Sequence, residues 1–232
     1  MKNISLLFCL LLISFQFISY SQNNVSKGDW ANLKKYNMAN KNLLPQTAGE
    51  NRIVFMGNSI TEFWAYIDSS FFANKSFINR GISGQTTPQM LLRFRQDVIN
   101  LKPAVVVILA GINDIAENSG PIALEDVFGN IVSMAQLAKE NNIKVILSSV
   151  LPAFDFPWHP GLQPAEKVVR LNNMIKLYCQ ENNIVYVDYY SNMVDERKGL
   201  DRKYTDDGVH PTLAGYKIME PLIENAIKKV LE

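Results

Sequence analysis

The stretch AVVVILA, residues 104–110, decides the fold class. It is apolar at every position rather than at alternate positions, and β-branched residues dominate it. Such a composition suits a strand that is buried on both of its faces. Strands of this kind lie in the middle of parallel sheets that carry helices on either side. We therefore expect residues 104–110 to form a central strand of a parallel sheet.

Further strand-like and helical patterns alternate on both sides of this run. The other apolar runs are residues 53–55, 77–78, 144–150 and 184–187. Helical patterns cover residues 87–99, 124–140, 164–181 and 212–230. Thr87 is expected to cap the first of these helices, with Pro88 at its first position. Strands that alternate with helices form βαβ units, so the sequence predicts an α/β fold with a five-stranded parallel sheet.

Length and charge restrict the classes of function. The 232 residues fit one domain that is large enough to bury a full core. The net charge is +1 and no long run of lysine and arginine occurs, so we expect no nucleic-acid partner. No histidine pair or cysteine cluster has the spacing of metal ligands, and we expect no metal.

The N-terminal residues have the pattern of a secretory signal peptide. Lys2 precedes an apolar run over residues 4–18, and small residues follow just before Gln22. The run is shorter than the ~20 residues that span a bilayer, so a membrane anchor is the weaker alternative. Lipid attachment at Cys9 is a minor one. We predict a signal peptide over residues 1–21, a mature domain over residues 22–232, and a secreted or periplasmic protein that is not inserted in the membrane.

Cleavage of the signal peptide would leave Cys179 as the only cysteine. An intramolecular disulfide is then excluded. Cys179 lies in an amphipathic helical pattern, and we expect it to be a small core residue rather than a reactive thiol.

Polar clusters follow the predicted strands or precede the last helix. They are Gly57-Asn58-Ser59, Asn79-Arg80-Gly81, Gly111-Ile112-Asn113-Asp114 and Asp207-Gly208-Val209-His210. Each cluster alone is compatible with a simple turn or a helix cap. In open parallel sheets, however, ligands bind at the carboxyl ends of the strands. Together the clusters predict a functional site at that edge.

Ser59 and His210 are the candidate nucleophile and base. A serine hydroxyl needs an adjacent base to attack at neutral pH, and the chain has only two histidines. His210 precedes Pro211, which is expected to begin the terminal helix. The helix dipole there would favour the neutral imidazole, which is the form that a base requires. We interpret the other histidine, His159, as a residue at the rim of the site.

The site also needs an acid and donors for an oxyanion. Asp207, three residues before His210, is expected to hold the histidine tautomer, although its neighbour Asp206 remains an alternative. Candidate donors to the developing oxyanion are the backbone N–H groups of Ser59 and Gly81 and the side-chain amide of Asn113.

These residues stand in four blocks that resemble the SGNH or GDSL hydrolase superfamily. The blocks read FMGNSIT, NRGISGQTT, LAGINDI and DDGVHPTLAGY, and they extend from about residue 52 to the C-terminus. The resemblance implies a flavodoxin-like, three-layer α/β/α fold with a Ser59–His210–Asp207 triad. It also implies an oxyanion hole made by Ser59, Gly81 and Asn113. Members of the superfamily hydrolyse esters and thioesters without a cofactor, through an acyl-serine intermediate.

The first block departs from the usual pattern at one position. Asn58 stands where the superfamily usually has aspartate, next to the nucleophile. An uncharged amide still forms hydrogen bonds with the backbone, so this change need not abolish activity. Thr61 occupies the second glycine position of the Gly-x-Ser-x-Gly motif, which argues against the α/β-hydrolase fold.

The sequence offers weaker indications of the substrate. Phe156, Trp158 and His159 lie in an irregular stretch after a predicted strand, and we expect them to line the rim. Arg80 is expected to contact a polar or acidic group of the substrate, or alternatively to be paired within the protein.

The leading hypothesis is a secreted serine esterase that removes acetyl groups from carbohydrate. Secreted members that resemble this chain commonly have that activity, and no amphipathic lid is evident in the sequence. The alternatives are a lysophospholipase or thioesterase, an acylhydrolase similar to platelet-activating-factor acetylhydrolase, and a non-catalytic glycan-binding module.

Overall fold

The protein is built around a parallel sheet of five strands. The computed structural model describes residues 28–47, 49–73 and 75–232. The strands are β1 (Ile53–Gly57), β2 (Phe77–Gly81), β3 (Val105–Leu109), β4 (Lys144–Ser148) and β5 (Val185–Val187). Their order in the sheet is β2-β1-β3-β4-β5 and every pairing is parallel. Each strand overlaps a run predicted from the sequence, although β1 and β2 extend beyond the runs predicted for them. The predicted signal peptide lies outside the described residues.

Helices connect the strands and cover both faces of the sheet. They are α1 (Asn37–Lys41), α2 (Ser59–Ile67), α3 (Ser69–Phe72), α4 (Thr87–Asp97), α5 (Ile112–Ile115), α6 (Leu124–Glu140), α7 (Pro164–Glu181), α8 (Tyr190–Met193) and α9 (Leu213–Leu231). Short 3₁₀ helices cover Ile99–Leu101 and Arg202–Tyr204. All residues of β1 and β3 are buried, which requires cover on both sides. The predicted three-layer α/β/α architecture is confirmed.

The register of the central strands aligns their carboxyl ends. Gly57, the last residue of β1, lies opposite Gly81 of β2 and Leu109 of β3. The segments that leave these strands therefore emerge side by side at one edge. This alignment brings the start of α2, the loop before α4 and the start of α5 together.

Cys179 is buried in α7, as expected for a core residue. Burial raises the pKa of its thiol to about 12. The neutral thiol is a weak nucleophile, so this cysteine packs rather than reacts.

Two boundaries near the site differ from the expectations. Asn79 and Gly81 belong to β2 itself rather than to a loop beyond it. Helix α4 is capped by Thr86, one residue before the expected Thr87, because Thr86 and Gln89 form a reciprocal capping box. The hydroxyl of Thr87 instead donates to the Asp114 carboxylate at 2.6 Å.

The prediction that Pro211 begins the terminal helix is wrong. Pro211 pairs with Thr205 in an isolated antiparallel bridge, and the N–H of Thr212 donates to the Tyr204 carbonyl at 2.8 Å. This pairing holds the segment extended, so α9 begins only at Leu213. His210 therefore lies on the loop that the Thr205–Pro211 bridge closes, and not at the N-terminus of α9.

Candidate active site

The nucleophile candidate lies at the turn between β1 and α2. Asn58 is the N-cap of α2, and its side-chain oxygen accepts a hydrogen bond from the Ile60 N–H at 3.0 Å. An aspartate would offer the same acceptor, so Asn58 retains the cap without the negative charge. Ser59 is the first residue of the helix, and its N–H has no partner within the helix. That N–H is available to a ligand at the end of the sheet.

Ser59, His210 and Asp207 form a continuous chain of hydrogen bonds. The Ser59 Oγ lies 2.9 Å from the His210 Nε2, and the His210 Nδ1 lies 2.6 Å from the Asp207 Oδ2. An ionised carboxylate only accepts, so Nδ1 carries the ring proton and leaves Nε2 to accept from the serine. Ser59 is only 5% exposed, so its hydroxyl faces little bulk water. This is the arrangement that activates a serine.

Asp207, rather than Asp206, is the hydrogen-bond partner of His210 in this loop. The Asp207 Oδ1 accepts the backbone N–H groups of Val209 and His210 at 2.9 and 2.8 Å. Partial burial by itself raises the pKa of Asp207, but the hydrogen bonds from His210 and Val209 outweigh it and lower the pKa. Asp206 is exposed and forms no hydrogen bond within the described residues. Asp207 is therefore the ionised group that orients the histidine.

The walls around His210 are aromatic. Phe63, one turn beyond Ser59 on α2, has its ring centroid 5.4 Å from that of His210. Trp158 is also close to the imidazole, with the ring centroids 6.1 Å apart. Gly208, at the tip of the loop, has a φ of +84°, a conformation that favours glycine. The loop thus presents His210 close to two aromatic side chains.

Asn113 lies beside the loop that follows β2. It belongs to the short helix α5, directly beyond β3, and is buried. Its Nδ2 donates to the Gln85 carbonyl at 3.0 Å. An amide nitrogen carries two hydrogens, so one N–H remains for another acceptor.

The expectation that the Gly81 N–H serves as an oxyanion donor is not supported by its surroundings. That N–H donates to the Asn79 Oδ1 at 2.9 Å. A Cβ at Gly81 would lie 2.2 Å from the backbone nitrogen of Glu62 in the first turn of α2. Gly81 is therefore needed for the close packing of β2 against α2.

Gly84 is a better candidate for the second donor. It is exposed, has a φ of +76°, and a Cβ built on it would meet no atom within 4 Å. Its N–H makes no hydrogen bond within the described part of the chain, and the next residue, Gln85, contacts Asn113. The block NRGISGQTT contains both glycines, so the signal was present in the sequence.

A buried arginine that sequence reasoning missed ties these segments together. Arg93 of α4 is 0% exposed. Its Nη2 donates to the carbonyls of Gly57 and Arg80 at 3.0 and 2.9 Å, and its Nε donates to the Gln85 Oε1 at 2.5 Å. Its Nη1 pairs with Asp97 at 3.0 Å. One guanidinium thus joins the ends of β1 and β2 to the loop that carries Gly84.

Two of the expected substrate-binding residues are buried. Phe156 is 0% exposed and packs in the core, so the expectation that it lines the rim is wrong. Arg80 is 6% exposed; it donates to the Asn40 Oδ1 at 2.9 Å and lies over the ring of Tyr36. Its guanidinium is paired within the protein, which was the alternative for this residue.

The other two lie at the surface near the site. Trp158 is 45% exposed, and its indole N–H donates to the Asn118 Oδ1 at 3.0 Å. The Nδ1 of His159, which is also exposed, lies 3.1 Å from the carbonyl oxygen of Ala116. Both residues therefore join the irregular loop to the segment after α5, next to Asn113.

The described residues contain no group of three or more histidine, cysteine, aspartate or glutamate side chains arranged to hold a metal ion. Among these same residues, no helix is both long and apolar enough to cross a membrane.

Comparisons with known proteins agree with this geometry. Residues 55–218 match the model of the GDSL-like Lipase/Acylhydrolase family. The structure of a proposed acylhydrolase from Bacteroides fragilis is 53% identical, covers 89% of this chain and 100% of that one, and superposes with a TM-score of 0.87. An acetyl-xylooligosaccharide esterase from Geobacillus has the same fold, with 21% identity, a TM-score of 0.62, and coverage of 77% of this chain and 94% of that one.

Two curated relatives also match. Esterase TesA of Pseudomonas aeruginosa is 27% identical over 184 residues, which are 74% of this chain and 85% of that protein. An uncharacterized lipoprotein of Bacillus subtilis, YqeF, is 33% identical over 85 residues, which are 35% of either chain. The family model covers more than half of the sequence, and it includes the blocks that carry Ser59, Asn113 and His210. The chain therefore belongs to the GDSL-like lipase/acylhydrolase family and is a serine ester hydrolase.

Proposed function

We propose that this protein is an exported esterase that removes short acyl groups, chiefly acetyl, from carbohydrate, with Ser59, His210 and Asp207 as its catalytic residues. The hydrogen-bond chain of 2.9 and 2.6 Å through His210 is the observation that carries this proposal. No metal or other cofactor takes part in the proposed reaction.

The proposed reaction follows from the positions of these atoms. His210 Nε2 takes the proton of the Ser59 hydroxyl as Oγ attacks the ester carbonyl. Asp207 stabilises the imidazolium that forms. The same Nε2 then gives the proton to the departing alcohol oxygen, and an acyl-serine remains. A water molecule, activated by His210, releases the acid and restores Ser59.

Three donors are proposed to stabilise the negative charge on the carbonyl oxygen. They are the backbone N–H groups of Ser59 and Gly84 and the remaining N–H of the Asn113 amide. All three belong to segments that leave neighbouring strands at one edge of the sheet. Donors held in this way need no reorganisation when the charge develops.

An acetylated carbohydrate suits the surroundings of His210. Trp158 exposes part of its indole close to the imidazole, and exposed aromatic faces of this kind stack well on the apolar faces of sugars. The acetyl-xylooligosaccharide esterase that shares this fold acts on substrates of that class.

Export is proposed from the N-terminal residues and one relative. Residues 1–21 have the charge and apolar pattern of a signal peptide, and YqeF is called a lipoprotein. Mass spectrometry of protein from periplasmic and medium fractions tests this proposal. A mature chain that begins at Gln22 is expected, whereas intact Met1 in a cytoplasmic fraction would contradict it.

A second candidate is hydrolysis of longer acyl esters, such as those of lysophospholipids or thioesters. Phe63 and Tyr66 lie four and seven residues beyond Ser59 on α2, so they share its face of the helix. Tyr66 is 74% exposed. These side chains provide an apolar surface that runs outward from the nucleophile.

A chain-length series of p-nitrophenyl esters, followed by acetate release from acetylated xylo-oligosaccharides, distinguishes the two candidates. We expect kcat/KM to fall steadily beyond acetate and butyrate, and acetate to be released from the oligosaccharides. Ser59→Ala should abolish both activities. Ser133→Ala, on helix α6, which carries none of the proposed catalytic residues, should leave them unchanged. A maximum at octanoate or longer would favour the second candidate. Full activity in a folded Ser59→Ala protein would contradict both.

A further inference from the structure

A cavity of about 580 Å³ borders the loop that carries Asp207. Side chains from the irregular loop after β4 and from the segment after α8 form its wall. The charged and aromatic residues of this wall include Phe154, Asp155, Arg197, Arg202, Asp206 and Asp207. We call it the Arg202 cavity. Its volume lies within the range of about 300–1,000 Å³ that small-molecule sites occupy.

The cavity adjoins the histidine side of the site through Asp207 and Gly208. His210 must deliver its proton to the leaving oxygen, so the alcohol portion of the ester lies on the histidine side of Ser59. Asp207, whose carboxylate is hydrogen-bonded to His210 at 2.6 Å, is one of the residues that line the cavity. The donors on Gly84 and Asn113 belong to other segments and do not border it. Ser59 and His210 do not themselves line the cavity, so only an alcohol portion long enough to extend past His210 towards Asp207 would reach it.

Two charged groups on the wall are available to a ligand. Arg202 and Asp206 make no hydrogen bond or ion pair within the described residues, and both are exposed. The Asp155 carboxylate, by contrast, accepts the N–H groups of Phe156 and Gly161 at 2.9 Å each.

The other arginine that lines the cavity, Arg197, already has partners within the protein. The Arg197 guanidinium lies 4.9 Å from the centre of the Phe154 ring and pairs with Asp195 at 3.3 Å. Arg202 and Asp206 therefore remain as one donor group and one acceptor group that face the same space.

A guanidinium and a carboxylate together match hydroxyl groups, because each hydroxyl both donates and accepts. The wall carries two arginines and three aspartates, so it does not favour an anion. Resting on the function proposed above, we propose that the Arg202 cavity binds a neutral saccharide unit of the alcohol portion of the ester, through Arg202 and Asp206. The cavity then determines which acetylated carbohydrates the enzyme accepts.

The test compares a large substrate with a small one. The ratio of kcat/KM for neutral acetylated xylo-oligosaccharide to that for p-nitrophenyl acetate is measured for wild type, Arg202→Ala and Asp206→Asn. Lys203→Ala is the control, because Lys203 is adjacent in sequence but does not line the cavity. We expect the ratio to fall about tenfold in both cavity variants, the effect of one lost charged hydrogen bond. The control should keep the wild-type ratio.

A ratio that stays within about twofold of wild type in both cavity variants would overturn the proposal, as would an equal fall in Lys203→Ala. If Arg202→Ala impairs only the hydrolysis of oligosaccharides that carry uronic acid, the assignment of a neutral saccharide to the cavity is wrong.

Calorimetric titration of Ser59→Ala protein with a deacetylated xylo-oligosaccharide needs no hydrolysis, so it separates this proposal from the proposed function. If wild type releases no acetate, the proposed function fails, but the titration still tests the cavity. Kd should rise about tenfold when Arg202→Ala is added to the Ser59→Ala protein. No measurable binding, or binding that is unaffected by the Arg202 change, would contradict the proposal.

Discussion

Replacing Arg93 with methionine tests whether one buried cation holds the site segments together. The guanidinium has no exposed surface and donates to Gly57, Arg80, Gln85 and Asp97. Methionine retains most of the aliphatic volume but has no donor. Burial lowers the pKa of Arg93, and the Asp97 carboxylate partly offsets that effect, so the two groups depend on each other.

The loss of the cation leaves Asp97 as an uncompensated buried charge. Breaking a buried ion pair in this way costs about 3–5 kcal/mol. The Asn40 side chain still donates to Asp97 at 2.7 Å, which points to the lower end of that range. The acceptors on Gly57, Arg80 and Gln85 lose a donor as well, at roughly 1 kcal/mol each if partly compensated. We therefore expect the free energy of unfolding to fall by about 6 kcal/mol.

Urea unfolding followed by circular dichroism measures this change. Arg93→Lys keeps a positive charge but not the planar set of donors, so its free energy of unfolding should fall by less than that of Arg93→Met. This variant remains informative if Arg93→Met does not fold. Arg93→Met combined with Asp97→Leu removes both charges and should be more stable than Arg93→Met alone. Arg95→Met, on the exposed side of the same helix, is the control. A loss below about 1 kcal/mol in Arg93→Met, or an equal loss in Arg95→Met, would refute the reasoning.

Three further predictions concern the site itself. Asp207→Asn should lower kcat for p-nitrophenyl acetate by about 10⁴ because an amide no longer holds the productive histidine tautomer; a loss below tenfold would contradict the assigned role. Asn113→Ala should lower kcat by about 10²–10³ while KM changes little, and a change in KM alone would exclude a role at the oxyanion. The pKa of Asp207 is lowered in the folded state. Its hydrogen bonds therefore stabilise the fold fully at a pH above the pKa of the unfolded carboxyl, about 3.9. This stabilisation is lost as the pH falls through the lowered pKa of the folded state. Urea midpoints of wild type and Asp207→Asn should therefore differ at neutral pH and converge in acid; a constant difference would contradict this.

The sheet and the residues that meet at its edge could be predicted from the sequence. Each strand contains an apolar run, and parallel topology brings the carboxyl ends of neighbouring strands together whatever lies between them. For that reason Ser59 and Asn113 could be placed at one edge before their contacts were known. Asp207 and His210 are only three residues apart, so their pairing was also a local prediction.

The errors arise where long-range contacts decide the local structure. Pro211 is a good first residue of a helix, but its pairing with Thr205 holds it extended. Gly81 and Gly84 look equivalent in the sequence, and only the packing against Glu62 separates them. The burial of Phe156 depends on core contacts that no local pattern reveals.

The role of Arg93 also depends on long-range contacts and could not be predicted from the local sequence. It lies in an amphipathic helix where charged residues usually face solvent, and its acceptors on β1 and β2 are 36 and 13 residues away. Nothing in the local pattern distinguishes it from the exposed Arg95.

The most direct test of the account is covalent labelling of the nucleophile with a fluorophosphonate. Intact-mass measurement and peptide mapping should show one adduct per chain, on Ser59. The adduct should be absent in Ser59→Ala and should form much more slowly in His210→Ala, because the base no longer activates the hydroxyl. A folded protein that takes up no label would instead support a non-catalytic glycan-binding module, and an adduct on any other residue would contradict the assignment of Ser59.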